Sequence, residues 1–232
     1  MPLPTISTPT YELVLPSSNR KIKYRPFLVK EEKILILAME SQDPKQIARA
    51  VKDVISKCIL SKGIKVEKLS TFDIEYLFLN IRGKSVGEQI EVMVTCPDDK
   101  KTQVPMSINI DSIKVKTDDE HTTDIKLDDI YTLRMKYPSL DEFIKSNFNF
   151  ESNMNVDDTF DLIASCIDQV YSDEESWSHQ ECTKKELNQF VDQLNSSQFK
   201  EVEKFFETMP KLSHTVKVIN PNTKVESEIV LE

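Results

Sequence analysis

Residues 72–95 read FDIEYLFLNIRGKSVGEQIEVMVT, and within them the hydrophobic period changes. In the first part Ile74, Leu77, Phe78 and Ile81 recur at intervals of three and four, the spacing that gathers side chains on one face of an α-helix. Phe72, Tyr76 and Leu79 widen that face, so the helix is expected to be buried on several sides. Past Gly83 and Gly87 the interval falls to two: Ile90, Val92 and Val94 point one way, as along a strand with one buried face. Both periods occupy one short stretch, and the chain reads as α+β.

Working outward toward the N-terminus, Tyr11, Leu13 and Leu15 alternate, Pro16–Asn19 turns the chain, and Ile22 and Tyr24 resume the pattern, which predicts a β-hairpin. Pro26 blocks a helix at Arg25, and the helix formers that follow place one over about residues 30–41. Asp43 is a good N-cap with Pro44 at the first helical position, opening an amphipathic helix through Ile47, Val51, Val54, Ile55 and Cys58.

Toward the C-terminus, Pro97–Lys101 is a turn, and Val104, Met106, Ile108 and Ile110 point together. With strand-like pieces at 113–115, 125–127 and 131–135, this predicts one small antiparallel sheet across residues 87–137. Pro138–Phe143 starts a return to helix, Asn153–Asp158 is a polar break, and Thr159–Tyr171 is read as a helix with Phe160, Ile163, Ile167 and Val170 on one stripe. Thr183–Thr208 is helical with a division at Asn195-Ser196-Ser197, and a hairpin turning at Asn220–Thr223 closes the chain. The expected architecture is mostly helical layers with a small antiparallel β subdomain and terminal β-hairpins, in segments 1–86, 87–137 and 138–232.

Composition narrows the chemistry. The 39 acidic and 30 basic side chains leave a formal charge of -9, which argues against a general phosphate-binding surface and hence against bulk nucleic-acid binding. No stretch approaches the roughly 20 apolar residues of a membrane span, and the start lacks a basic-then-apolar leader, so the expectation is a soluble chain, cytoplasmic where it is made. With only Gly63, Gly83 and Gly87, neither GxxxxGK[ST] nor GxGxxG can be written. Cys58, Cys96, Cys166 and Cys182 form no CxxC pair, His121, His179 and His214 stand apart, and no cofactor or metal is expected. Paired acids such as Asp98-Asp99, Asp128-Asp129 and Asp157-Asp158 sit where capping and solvation explain them.

What remains is a set of candidate contact residues. Arg25, Phe27 and Lys30 flank or follow Pro26, Arg82 and Lys84 follow the apolar helix, and Trp177 lies in an acidic, polar segment. Arginine and aromatic side chains are enriched at interface centres. The bland alternative stays open for each: Arg25 and Arg82 pair with Glu31 or Glu75 inside the fold, Phe27 is core, and Trp177 packs one edge on a neighbouring helix.

Pro9–Ser17, Arg25–Lys33, Phe72–Glu88 and Arg134–Ser139 together resemble the baseplate hub and hub-assembly family of T4-like contractile-tailed phages. The resemblance implies a structural or assembly protein of the hub, not an enzyme. It would act through contacts with other phage tail hub or spike proteins, without nucleic acid or membrane, in the host cytoplasm during assembly or as part of the virion baseplate. One alternative is a transient assembly chaperone absent from the mature virion. Another, from a different class, is a small acidic metal-dependent hydrolase using Asp98, Asp99 or Cys96.

Overall fold

The computed structural model describes residues 6–140, 142 and 156–231. They form an α+β fold in two compact units, one made of Met1–Val66, Phe72–Lys116 and Lys211–Glu232, the other of Glu67–Thr71 and Thr117–Pro210. Each unit gathers stretches that are not adjacent in the chain, whereas the segments 1–86, 87–137 and 138–232 follow local periodicity. Periodicity reports the face of one element, not its partner.

The first unit opens with strands β1 (Tyr11–Val14) and β2 (Lys21–Tyr24), paired antiparallel with Tyr11 opposite Tyr24. Their loop closes through Asn19, whose φ of 53° is a conformation that asparagine tolerates better than most residues. The hairpin buries Leu13, Leu15, Ile22 and Tyr24, each contributing about 1.5–3 kcal/mol of apolar burial. Its Ser17 donates backbone and hydroxyl hydrogen bonds to the buried Asp73.

Helices α1 (Val29–Glu40) and α2 (Pro44–Cys58) follow, then α3 (Thr71–Val86). The Asp43 carboxylate accepts from the Lys45 N–H and caps α2, which buries Ala50, Val54, Ile55 and Cys58. Helix α3 buries Phe72, Ile74, Leu77 and Ile81 and half-buries Tyr76, Phe78 and Leu79, as its broad apolar surface requires. It ends at Gly87, whose φ of 135° favours glycine.

Strands β3 (Gln89–Thr95) and β4 (Gln103–Asn109) pair with each other, and β5 (Lys114–Lys116) pairs with the C-terminal hairpin. That hairpin is β10 (Lys211–Ile219) with β11 (Glu226–Leu231). Val94, Cys96 and Ile108 pack against Val216 and Val218, so two small sheets share one core. Asn220 in the closing turn is buried and donates to both oxygens of Asp98 at 3.0 Å, fastening one hairpin turn to the other.

In the second unit β6 (Asp124–Lys126), β7 (Thr132–Met135), β8 (Ile167–Tyr171) and β9 (Ser176–Ser178) form a four-stranded antiparallel sheet in that order. Helices α4 (Val156–Ser165), α5 (Lys184–Asp192) and α6 (Ser196–Thr208) supply Leu162, Ile163, Leu187, Val191, Val202 and Phe205 to its core. Asn195 caps α6 by accepting from Ser197 and Gln198, which divides the C-terminal helical region at the expected place.

Three expectations are corrected. Ile167–Tyr171 is strand, not the end of a helix: Ile167 and Val170 pair with Met135 and Leu133 of β7. Ile, Val and Tyr favour a pleated surface, and the waiting edge of β7 decides in favour of strand. The polar break expected at 153–158 is interrupted by α4, which begins at Val156; residues 153–155, and residues 141 and 143 of the helical start expected at 138–143, lie outside the described residues, while Leu140 and Glu142 are helical as expected. The strands of 87–137 belong to three sheets rather than one, two of them completed by strands from beyond that interval. Sheets therefore supply more of the core than the sequence suggested.

Candidate functional site

The Arg25-Pro26-Phe27 corner joins β2 to α1, and its geometry is set by a buried ion pair. Glu31, 1% exposed, sits in the first turn of α1. One carboxylate oxygen accepts from the Leu28 N–H at 2.8 Å and the other from the Arg25 guanidinium at 3.2 Å. Burial pushes this carboxyl up, but the Leu28 N–H and the Arg25 cation outweigh it and hold it below its ordinary 4.5. Arg25 also donates to the Pro26 carbonyl at 2.8 Å. Arg25 thus pairs inside the fold.

Phe27 is half-buried, neither wholly core nor wholly surface; its N–H donates to the Ser85 hydroxyl of α3 at 2.9 Å. Lys30 is exposed, 3.6 Å from Glu31. On α3, Lys84 pairs with Glu88 and lies 5.7 Å from the centre of the Tyr11 ring. Arg82 does not pair with Glu75: its Nη1 is buried without a hydrogen-bond partner, a costly state that calls for an explanation. The structure therefore brings Arg25, Phe27 and Lys30 together at one corner, ties that corner to α3 near Arg82 and Lys84, and leaves Trp177 in the other unit.

Trp177 is on β9, opposite Val170, 40% exposed, with its ring 6.2 Å from Tyr131. The acidic, polar segment thus ends in a short strand that holds this ring against the sheet.

The feature that the candidate residues did not include is the outer face of α1. Glu31 is its only buried side chain, while Val29 is 80%, Ile36 51%, Leu37 55% and Met39 66% exposed. A signal was present: Ile34–Met39 is six consecutive apolar residues, which wrap around a helix and cannot all face one core.

The residues invoked for catalysis have structural roles. Asp99 accepts from Lys101, Thr102 and the Thr102 hydroxyl, and Asp98 from Asn220 and Thr223. These hydrogen bonds hold both carboxyls below the usual range. Cys96 is buried. Among the described residues no three His, Cys, Asp or Glu side chains converge, and no helix is long and apolar enough to cross a membrane.

No curated protein and no solved structure matches the sequence. The family described as T4 bacteriophage base plate protein matches residues 8–232, nearly the whole chain. The protein belongs to the T4 bacteriophage base plate protein family.

Proposed function

We propose that this baseplate protein is a structural or assembly component of the baseplate hub, working through contacts with other tail hub or spike proteins. The observation that carries the reading is the apolar outer face of α1. Single exposed apolar residues need no explanation, but Val29, Ile36, Leu37 and Met39 are all exposed on one short helix beside the charged Lys33 and Glu40, and a mixture of apolar and charged side chains is what protein interfaces present. The helix is also held rigidly at its start by the Arg25–Glu31 pair, so little ordering is required on binding. Catalysis plays no part in this reading, since Asp98, Asp99 and Cys96 already serve turns and core.

The test is co-expression of the chain with hub and spike proteins, followed by affinity capture, using wild type and Leu37→Lys/Met39→Lys. Both side chains are exposed, so circular dichroism is expected to be unchanged while capture falls at least tenfold. Full capture by the variant refutes α1 as the contact, and no association of wild type with any hub or spike protein refutes the hub assignment. Mass spectrometry of purified virions then separates a resident component, which is retained, from a chaperone, which is absent.

A further inference from the structure

A second surface lies in the other unit, at one end of its four-stranded sheet. Thr132 pairs with Tyr171, so the β6–β7 turn and the β8–β9 turn emerge at the same end. In the first turn the Asp128 carboxylate accepts from the N–H groups of Ile130 at 2.8 Å and Tyr131 at 2.6 Å, fixing a loop on which Ile130 is 65% and Tyr131 38% exposed. In the second, Ser172 accepts from Glu174 and Glu175, and the returning strand presents Trp177. Behind these rings is a cavity of about 550 Å³ lined by Val170, Leu187, Phe190 and Leu194 together with Tyr131 and Trp177. The volume lies within the range of pockets that enclose a ligand, so it takes more than one side chain.

The two turns at this end of the sheet are acidic. Asp128 and Asp129 stand in the first turn and Asp173, Glu174 and Glu175 in the second, while no Lys or Arg occurs in residues 127–133 or 171–182. These five carboxylates outnumber the flanking Lys126 and Lys185, leaving an excess of negative charge beside an apolar mouth that favours a counter-charge placed there.

We propose that this cavity is a docking site for a cationic amphipathic segment of a partner protein. Aliphatic or aromatic side chains from one face of the segment enter between Tyr131 and Trp177, and flanking Lys or Arg side chains lie over the two acidic turns. This site is separate from α1 and does not depend on the hub assignment.

Trp177 is the chain's single tryptophan, so its emission reads the site directly. The probe is a synthetic Leu/Lys amphipathic helix titrated into the full chain, with a Leu/Glu helix as control. The expected result is a Trp177 emission shift with the Leu/Lys peptide alone. Affinity should fall at least tenfold in Glu174→Lys/Glu175→Lys, fall again between 0.05 and 0.5 M salt, and be unchanged in Glu226→Lys/Glu228→Lys, which makes the same change of net charge elsewhere. Calorimetry on Trp177→Ala, which lacks the reporter, should show binding lost. Equal binding of both peptides, no response to the Leu/Lys peptide, or equal weakening by both charge variants overturns the proposal. Concentration-dependent self-association abolished by Trp177→Ala also overturns it, by assigning the groove to a second copy. The α1 variant Leu37→Lys/Met39→Lys should bind the peptide as wild type does, so the two surfaces stand or fall separately.

Discussion

Replacing Arg25 by Met keeps most of the apolar stem and removes the cation that faces Glu31. The carboxylate is 1% exposed and keeps only the Leu28 N–H and Lys30, whose side chain is 71% exposed and 3.6 Å away. Removing one partner of a buried pair costs about 3–5 kcal/mol, because the remaining charge stays out of water uncompensated. Arg25 is itself 16% exposed and Lys30 remains, which places the expected loss at the low end, about 3 kcal/mol. With a urea dependence of about 2 kcal/mol per molar, the midpoint followed by far-UV circular dichroism falls by about 1.5 M.

The pH dependence supplies a second check with a definite sign. In the wild type the Glu31 carboxyl is held below 4.5, so its stabilisation is complete above that value and fades as pH falls through the lower, folded value. Without Arg25, two of the four influences that lower the carboxyl are gone while burial is unchanged, so its folded value rises, the variant is less stable than wild type at neutral pH, and the deficit closes as acid neutralises the group. The difference between the two proteins should therefore be largest near pH 7 and shrink toward pH 4. A variant within about 0.5 kcal/mol of wild type at pH 7, well below the cost of stranding a buried charge, or a gap that does not narrow in acid, would refute the reasoning.

Asn220→Ala removes the donor to Asp98 and the acceptor for the Asn222 and Thr223 N–H groups, and should cost about 2 kcal/mol in urea unfolding; a neutral result would mean that the two turns are not fastened together there. His121 bridges Thr208 and Tyr137 at 3.0 Å each, and burial holds its imidazole below the ordinary 6.5. Because the unfolded chain takes up the proton first, stability should fall as pH drops below 6.5 toward that depressed value, and His121→Phe should flatten the profile between pH 7 and 5.5. Burial pushes the Cys58 thiol up to about 11 and Cys166 up to about 12, whereas Cys182 is only half-buried. Ellman's reagent should label one thiol early in the native protein and none early in Cys182→Ser; a second fast thiol contradicts the burial of the other three.

Elements whose apolar period is local and strong were legible in the sequence. The N-terminal hairpin, α1, α2, the helix-to-strand change at Gly87, the division at Asn195 and the closing hairpin all follow from spacing, caps and turn residues. These depend on the chain's own dihedrals and on neighbours within four residues. The absence of phosphate-binding and metal-ligand spacing was equally a property of the sequence.

Only the tertiary structure decided the rest. Ile167–Tyr171 fits a helical stripe or a pleated edge, and the paired β7 chose the second. Strands read as one sheet were distributed among three, because hydrogen-bonding partners separated by a hundred residues leave no trace in a local period. The same limit governs the contact surfaces. The sequence singled out Arg25 and Trp177, but whether each was core or surface depended on what lay opposite, Glu31 for the one and Tyr131 beside an open cavity for the other. The apolar run on α1 was in plain view as six residues, yet which of them stayed exposed, Ile36, Leu37 and Met39, was settled by what packs against the helix, since burial is a relation between elements and not a property of either alone.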